Sequence, residues 1–152
     1  FIEPEVGRMA CGEVGSGRLA DIEQIIDSLE FIVFPKPVLG LALISMGRTE
    51  EPIDPVRYIT NRSSGKTGIE LARSLKHAGY DVQVVSGPCE VRIPSWLKIQ
   101  KTRTVSDMQN SLESFFESCS VLIMAASVAD FKISNISKQK MTEIEITSER
   151  IN

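Results

Sequence analysis

Val38 to Ala78 reads VLGLALISMGRTEEPIDPVRYITNRSSGKTGIELARSLKHA, and three patterns along it decide the fold. Val38 to Ser45 is a continuous apolar run of strand length, the signature of a strand buried on both faces of a parallel sheet. Ser64 to Ala78 then spaces Ile69, Leu71, Ala72 and Leu75 as the inward stripe of a helix, and Gly79 follows where a helix commonly closes. Between them lies a connection dense in Pro, Asp, Arg, Asn, Ser and Gly. It far exceeds the roughly 2–6 residues that join strand to helix in ordinary α/β units, and long connections inside compact domains are usually functional.

The helix-proximal half of that connection, Asn61-Arg62-Ser63-Ser64-Gly65-Lys66, sets small residues and two cations at a helix N-terminus. Free N–H groups and the helix dipole favour anions there. Two readings of the segment stand side by side: a phosphate or carboxylate cradle, and a capped helix preceded by a solvated polar loop. Neither G-x-x-x-x-G-K-[ST] nor G-x-G-x-x-G occurs here, so those nucleotide motifs do not apply.

Outward from this core, Asp81 to Ser86 (DVQVVS) predicts a second strand, closed by Gly87-Pro88. A coil containing Pro94 and Trp96 leads to a short strand at Leu97–Gln100, with Trp96 read as a packing anchor rather than a base-stacking platform. Thr104 with Asp107 three residues on resembles a capping box. The helix it opens runs to about Ser118 with Val105, Met108, Leu112, Phe115 and Phe116 on one core-facing stripe. Val121 to Ala126 (VLIMAA) predicts a further doubly buried strand, ending at Ser127-Val128-Ala129-Asp130. Strand, helix, strand, strand, helix, strand with right-handed crossovers gives an α/β, Rossmann-like, doubly wound and mainly parallel sheet. Ligands of such sheets bind beyond the carboxyl ends of the strands, where both the long connection and the segment after Ala126 belong. Asp130 there is equally a nucleotide or metal contact and a turn cap. Lys132, Lys138 and Lys140 read as a solvated loop, and Glu143 to Thr147 as an edge strand.

Upstream, residues 1–20 carry four glycines with Arg8 and Arg18 and read as a mobile loop. Asp21 to Phe31 has Ile22, Ile25, Ile26 and Leu29 at helical spacing, and Pro35 and Pro37 end it. The composition changes near Phe34–Pro37, which divides the chain into a loop-plus-helix appendage, 1–36, and a strand-rich domain, 37–152.

Composition narrows the chemistry. A chain of 152 residues, 42% hydrophobic, is long enough for one good core. Its net charge of −3 lacks the basic footprint of a nucleic-acid binder. Cys11, Cys89 and Cys119 are odd in number and show no C-x-x-C spacing, which points to reduced thiols and a cytoplasmic setting. The one histidine, His77, falls in the last turn of a predicted helix, where an exposed imidazole is the expectation rather than a catalytic base. No apolar run reaches the roughly 18 residues of a membrane span. The chain starts at Phe1 without a charged-then-apolar leader and reads as a piece of something longer.

One resemblance gathers these segments. Glu51-Pro52-Ile53-Asp54-Pro55-Val56-Arg57-Tyr58-Ile59-Thr60-Asn61-Arg62-Ser63-Ser64-Gly65-Lys66, with Gly68, closely resembles the ligase half of the bacterial bifunctional phosphopantothenoylcysteine decarboxylase/phosphopantothenate–cysteine ligases of coenzyme A synthesis. Val84 to Pro88, Arg103-Thr104 with Met108, and Ala125 to Phe131, similar to the family's A-A-V-A-D-Y, agree in order. Pro4, Gly7, Ala10-Cys11-Gly12 and Gly15-x-Gly17-Arg18 resemble the clamp that closes the decarboxylase half.

The resemblance implies a CTP-dependent ligase: 4'-phosphopantothenate gives an acyl-cytidylate and pyrophosphate, and cysteine then displaces CMP. It implies Asn61 at the reaction centre and Gly47, Arg62, Ser63, Ser64, Gly65, Lys66, Ala126, Asp130 and Phe131 around CTP. Mg²⁺ is implied with the triphosphate, with Asp130 as a metal contact. The functional lysine of the family's K-x-K-K falls on Lys138 by motif or Lys140 by ungapped count, and Met141 replaces the motif's last lysine. Cys11 matches the decarboxylase proton donor, which works with FMN held by a portion absent from this sequence. Ligase units of this family pair, so a homo-oligomer is implied. Departures are Gly47-Arg48-Thr49 for G-G-T, Glu50 for an Arg or Gln, Val6 for a serine and Glu13 for an aspartate. Two other readings remain: a nucleotide-binding or assembly module of this fold without turnover, and a generic dinucleotide-binding Rossmann domain.

Overall fold

The computed structural model of the chain describes residues 2–9, 11–34, 36–141 and 148–150. Its centre is a four-stranded parallel sheet of β3 (Leu41–Met46), β6 (Asp81–Ser86), β7 (Lys98–Lys101) and β8 (Cys119–Met124), ordered β7-β6-β3-β8. Numbered by appearance within the sheet this is 3-2-1-4, the Rossmann order, with the switch point between β3 and β8. The fold class read from the sequence is therefore the one observed.

Period-2 alternation explains the layering. Ile44 and Met46 of β3 join Val82 and Val84 of β6 on one face, beneath Ile69 and Ala72 of α2 (Lys66–Ala78). Leu43 and Val85 point to the other face, beneath Met108 and Leu112 of α3 (Val105–Phe116). Both faces of β3 are covered, so its apolar sequence is continuous rather than alternating. α3 opens on the expected capping box: Thr104 Oγ1 accepts the Asp107 N–H at 3.1 Å, and Asp107 Oδ2 accepts the Thr104 N–H at 3.0 Å. These N–H and hydroxyl contacts from Thr104 hold the Asp107 carboxyl below its usual range.

Several sequence expectations are revised. The long connection is not all loop, because β4 (Glu50–Pro52) and β5 (Tyr58–Thr60) pair antiparallel within it. Residues 1–20 form a hairpin, β1 (Glu5–Arg8) with β2 (Val14–Arg18), rather than an unstructured loop. The first sheet strand begins at Leu41, since the N–H groups of Val38 and Leu39 both go to Gly79 O. α2 begins at Lys66 rather than Ser64, and α3 ends at Phe116 rather than Ser118. β8 is the sheet margin and only partly buried, with Met124 exposed, because nothing among the described residues pairs beyond it. The proposed edge strand at 143–147 lies outside the described residues; among those that are described, β9 (Phe131–Ile133) pairs with β10 (Ser148–Arg150).

The helix read at Asp21–Phe31 is α1 (Ile22–Val33), capped by Asp21. Its sidedness is inverted. Ile22, Ile26, Leu29 and Ile32 are exposed, while Asp27 is buried and meets Arg73 at 3.9 Å, Arg92 at 3.4 Å and the Ser95 N–H at 3.3 Å. Glu30 accepts from Trp96 Nε1 at 2.9 Å, and Phe34 stacks edge-on against Trp96 and His77. Trp96 is thus a packing anchor and His77 an exposed residue, as read from the sequence.

Candidate functional site

Three loops meet at the carboxyl ends of the sheet strands, and backbone hydrogen bonds lace them together. After β3, Gly47 O accepts the Ser127 N–H at 2.8 Å, and the Thr49 N–H reaches Ser127 O at 3.3 Å. The pairing of β3 with β8 thus continues across the switch point as an isolated bridge, Arg48 with Ser127. After β6, Pro88 O accepts the Arg48 N–H at 3.0 Å. A Cβ on Gly87 would stand 1.8 Å from Arg48 O, so only glycine permits this crossing of two backbones.

Thr49 and Asn61 fix the segment after β8. The fully buried Thr49 hydroxyl accepts the Ala129 N–H at 2.9 Å, and Asn61 Nδ2 donates to Val128 O at 2.8 Å. Thr60 Oγ1 in turn donates to Thr49 O at 2.6 Å. Asn61 therefore clamps the Ala125–Asp130 segment onto the long connection. On the other side Ser64 O accepts the N–H groups of Glu90 and Val91 at 3.1 and 3.3 Å.

Within this frame Arg48, the run Thr60 to Ser64, and Glu90 line an open cleft of about 500 Å³. α2 starts at its edge. The residue capping α2 is Gly65 at φ +83°, which offers no side-chain acceptor. A Cβ there would also lie 2.8 Å from Cys89 Cβ, so the position needs glycine for both conformation and space. Ser64 Oγ stands 3.5 Å from the Lys66 N–H, no side chain caps the helix through Gly65, and the first turn has no acidic residue. The arrangement suits an external anion.

Of the residues anticipated from the sequence, Asn61, Arg62, Ser63 and Ser64 come together in the cleft lining, and Gly65 and Lys66 continue it into α2. Gly47 is outside the lining, packed against the Gly87 and Pro88 carbonyls. Ala126, Asp130 and Phe131 sit on the segment clamped by Asn61; Asp130 and Phe131 are exposed. Lys138 and Lys140 are exposed on a loop hung from the β4–β5 turn: the Ser137 N–H reaches Ile53 O at 3.0 Å, and the Met141 N–H reaches Asp54 Oδ2 at 3.2 Å. Cys11 is exposed at the β1–β2 turn, remote in sequence from all of these.

Sequence reading missed the residues that organise the site. Asp54 takes Arg57 Nε at 2.9 Å and Nη2 at 2.6 Å, the N–H groups of Val56 and Arg57 at 2.8 Å each, and that of Met141. The Arg57 guanidinium, reinforced by these N–H donors, holds its carboxyl well below the usual carboxylate range against the opposing effect of burial. The Asp-Pro dipeptide with Arg57 just beyond it is the turn signal that could have exposed this role. Glu51 accepts the Val105 N–H at 2.8 Å and so docks the hairpin on the N-terminus of α3. No cluster of three or more His, Cys, Asp or Glu side chains able to hold a metal occurs among the described residues.

A Rossmann-ordered sheet with a polar, cation-bearing cleft at a helix N-terminus beside its switch point defines an α/β domain of the doubly wound class. More narrowly, the chain belongs to the DNA/pantothenate metabolism flavoprotein C-terminal domain family, whose model matches residues 40–150. It is 35% identical over 147 residues to the coenzyme A biosynthesis bifunctional protein CoaBC of Vibrio vulnificus (strain YJ016), covering 96% of this chain and 37% of that protein. A cysteine/cysteine sulfinic acid decarboxylase from an unknown prokaryotic organism is 37% identical over 148 residues, 93% of this chain and 41% of that one. Among solved structures, the C-terminal domain of CoaBC superposes with a TM-score of 0.65 at 32% identity, covering 74% of this chain and 54% of that one. The chain thus spans well under half the length of the curated relatives it matches. No helix among the described residues is long and apolar enough to cross a membrane.

Proposed function

We propose that the cleft between Arg48, Asn61–Ser64 and Glu90 is part of a nucleotide-triphosphate site for CTP-dependent ligation of 4'-phosphopantothenate to cysteine. The observation that carries this reading is the Asn61 Nδ2 to Val128 O bond, which couples the anion-suited connection to the Ala125–Asp130 segment across the switch point. In the proposed reaction a substrate carboxylate oxygen attacks the α-phosphorus, the bond to the β-phosphate oxygen breaks, and pyrophosphate leaves. The cysteine amine then attacks the acyl carbon, loses a proton and displaces CMP. Arg62, the Ser63 and Ser64 segment and the N-terminus of α2 would hold phosphate oxygens, and Lys66 would add positive charge, as developing negative charge demands. Lys138 or Lys140 would approach the same anions from the loop tethered to Asp54.

Asp130 is one exposed carboxylate and belongs to no acidic cluster among the described residues. It fits a Mg²⁺ ion that takes most of its oxygens from phosphate and water, the ordinary habit of that ion. When bound, Mg²⁺ would neutralise triphosphate charge. Residues 1–36 are proposed as the closing clamp and helix of a decarboxylase half and 37–152 as the ligase domain. Cys11 would act as proton donor only beside FMN-binding residues that its hairpin does not supply. Pairing of ligase units and a cytoplasmic setting belong to the same proposal.

Titration calorimetry with CTP and Mg²⁺ tests the reading. CTP binding that Asn61→Ala weakens about tenfold, the scale of one hydrogen bond, is expected; a preference for NAD, or no nucleotide binding, overturns it. Coupling of cysteine to 4'-phosphopantothenate dependent on CTP then tests catalysis. A second reading, a nucleotide-binding or assembly module without turnover, is favoured by Arg48, whose side chain crosses the cleft mouth where the resembled family carries glycine. CTP binding with no CTP-dependent coupling would select it.

A further inference from the structure

Arg48 touches three acceptors of unequal kind. Its Nη1 donates to Ser63 O at 3.2 Å and to Glu90 Oε1 at 3.3 Å, while Nε lies 3.8 Å from Glu50 Oε1. Glu50 is an inner carboxylate, 9% exposed in its side chain and shared with Arg103 Nε at 3.1 Å. Glu90 is an outer one, 74% exposed. Its backbone is pinned by the N–H bond to Ser64 O, so its carboxylate reaches the cleft mouth from a fixed Cα. A buried, shared carboxylate resists exchange, whereas an exposed ion pair holds its partner weakly because water already solvates the acid.

Resting on the anion-binding reading of the cleft, we propose that Arg48 is a phosphate ligand of this chain. It exchanges its contact with the Glu90 carboxylate for one with a phosphate oxygen while keeping Glu50 behind it, and this exchange sets selectivity for groups carrying two or more negative charges. A monoanionic carboxylate would only replace one like charge by another and leave Glu90 unpaired beside it. A di- or polyphosphate engages the guanidinium fork, Arg62 and the α2 N-terminus together. Arg48 is a departure from the pattern of the resembled family, so the device belongs to this chain's own sequence.

A double-mutant cycle on the 152-residue chain, titrated with inorganic pyrophosphate and with acetate at low ionic strength, tests this. Arg48→Met is expected to weaken pyrophosphate about tenfold or more, the scale of a charge-assisted hydrogen bond. Glu90→Gln is expected to tighten it roughly threefold, the scale of an exposed ion pair. In the Arg48→Met background the Glu90→Gln gain should vanish. Equal tightening in both backgrounds would mean that Glu90 acts only through its general field, and the inference fails. Acetate binding as tight as pyrophosphate overturns the selectivity. Glu50 keeps Arg103 in the variant, and Arg48→Lys, which retains charge without the fork, gives a second measure if Arg48→Met melts early: pyrophosphate affinity should fall, and an unchanged value overturns the inference. Parallel CTP titration separates the two claims. Pyrophosphate binding that follows the cycle without CTP binding sinks the ligase reading alone, and CTP binding indifferent to all variants sinks the role of Arg48 alone.

Discussion

Asp54 is a loop residue with a buried carboxylate, and its partners explain both facts. It gathers the Arg57 guanidinium, two N–H groups of its own turn and the Met141 N–H from far along the chain. Arg57 also donates to Met141 O, so one acid–base pair moors the end of the loop that bears Lys138 and Lys140. Asp54→Asn keeps the shape but loses the charge. Limited proteolysis should then cut within 137–141 while the sheet stays intact, and the melting temperature should fall. The pH dependence has a definite sign. Because the folded carboxyl titrates far below an unfolded aspartate near 3.9, its contribution is complete above about pH 4–5 and is lost as pH falls below that. The melting difference between wild type and variant should be constant from about pH 5 to 8 and shrink toward pH 3. A difference that instead grows on acidification would show that Asp54 is not held as a buried anion.

At the scale of elements, the chain was legible where local chemistry and tertiary placement agree. Thr104 and Asp107 announce a capping box, and the structure forms it with both reciprocal bonds. Thr104→Ala should cost about 1 kcal/mol, seen as a lower urea midpoint at unchanged slope. No shift in the midpoint would mean that Glu51, which already satisfies the Val105 N–H, carries the start of α3 without the box. The β4–β5 hairpin was not legible, because each strand is only three residues long and one of them ends on Pro52. What stabilises it is non-local: Glu51 on the N-terminus of α3, Glu50 on Arg103, and Ile53 O on the Ser137 N–H. The β1–β2 hairpin was hidden by its glycines, which weaken strand propensity without preventing pairing. Asn61 to Ser64 were legible as an anion-suited run. The meeting of Arg48 with Glu90 at the cleft was not legible, since the crossing of the Gly47 and Gly87 backbones that brings their loops together has no local signature.

Across the whole molecule, α1 reverses the usual rule for amphipathic helices. Its apolar spacing predicts the buried stripe, yet the acidic side, Glu23, Asp27 and Glu30, meets Arg73, Arg92 and Trp96 on the sheet domain, and the apolar side faces outward. The sequence pattern reports that α1 has a sticky face; it does not report which face the described domain uses. Arg73 and Arg92 decide that, because a nearly buried aspartate needs cationic partners and this side supplies them. The two faces therefore predict opposite mutational costs. Asp27→Ala leaves Arg73 and Arg92 without their shared acceptor and exposes the Ser95 N–H, and should destabilise by about 1–3 kcal/mol, below the full cost of a buried pair because both arginines remain partly hydrated. Ile26→Glu, on the exposed apolar side, should stay within about 0.5 kcal/mol. Urea denaturation of the 152-residue chain measures both. If Ile26→Glu proves the costlier change, α1 docks through its apolar stripe, and the acidic face described here is not what joins the N-terminal segment to the sheet.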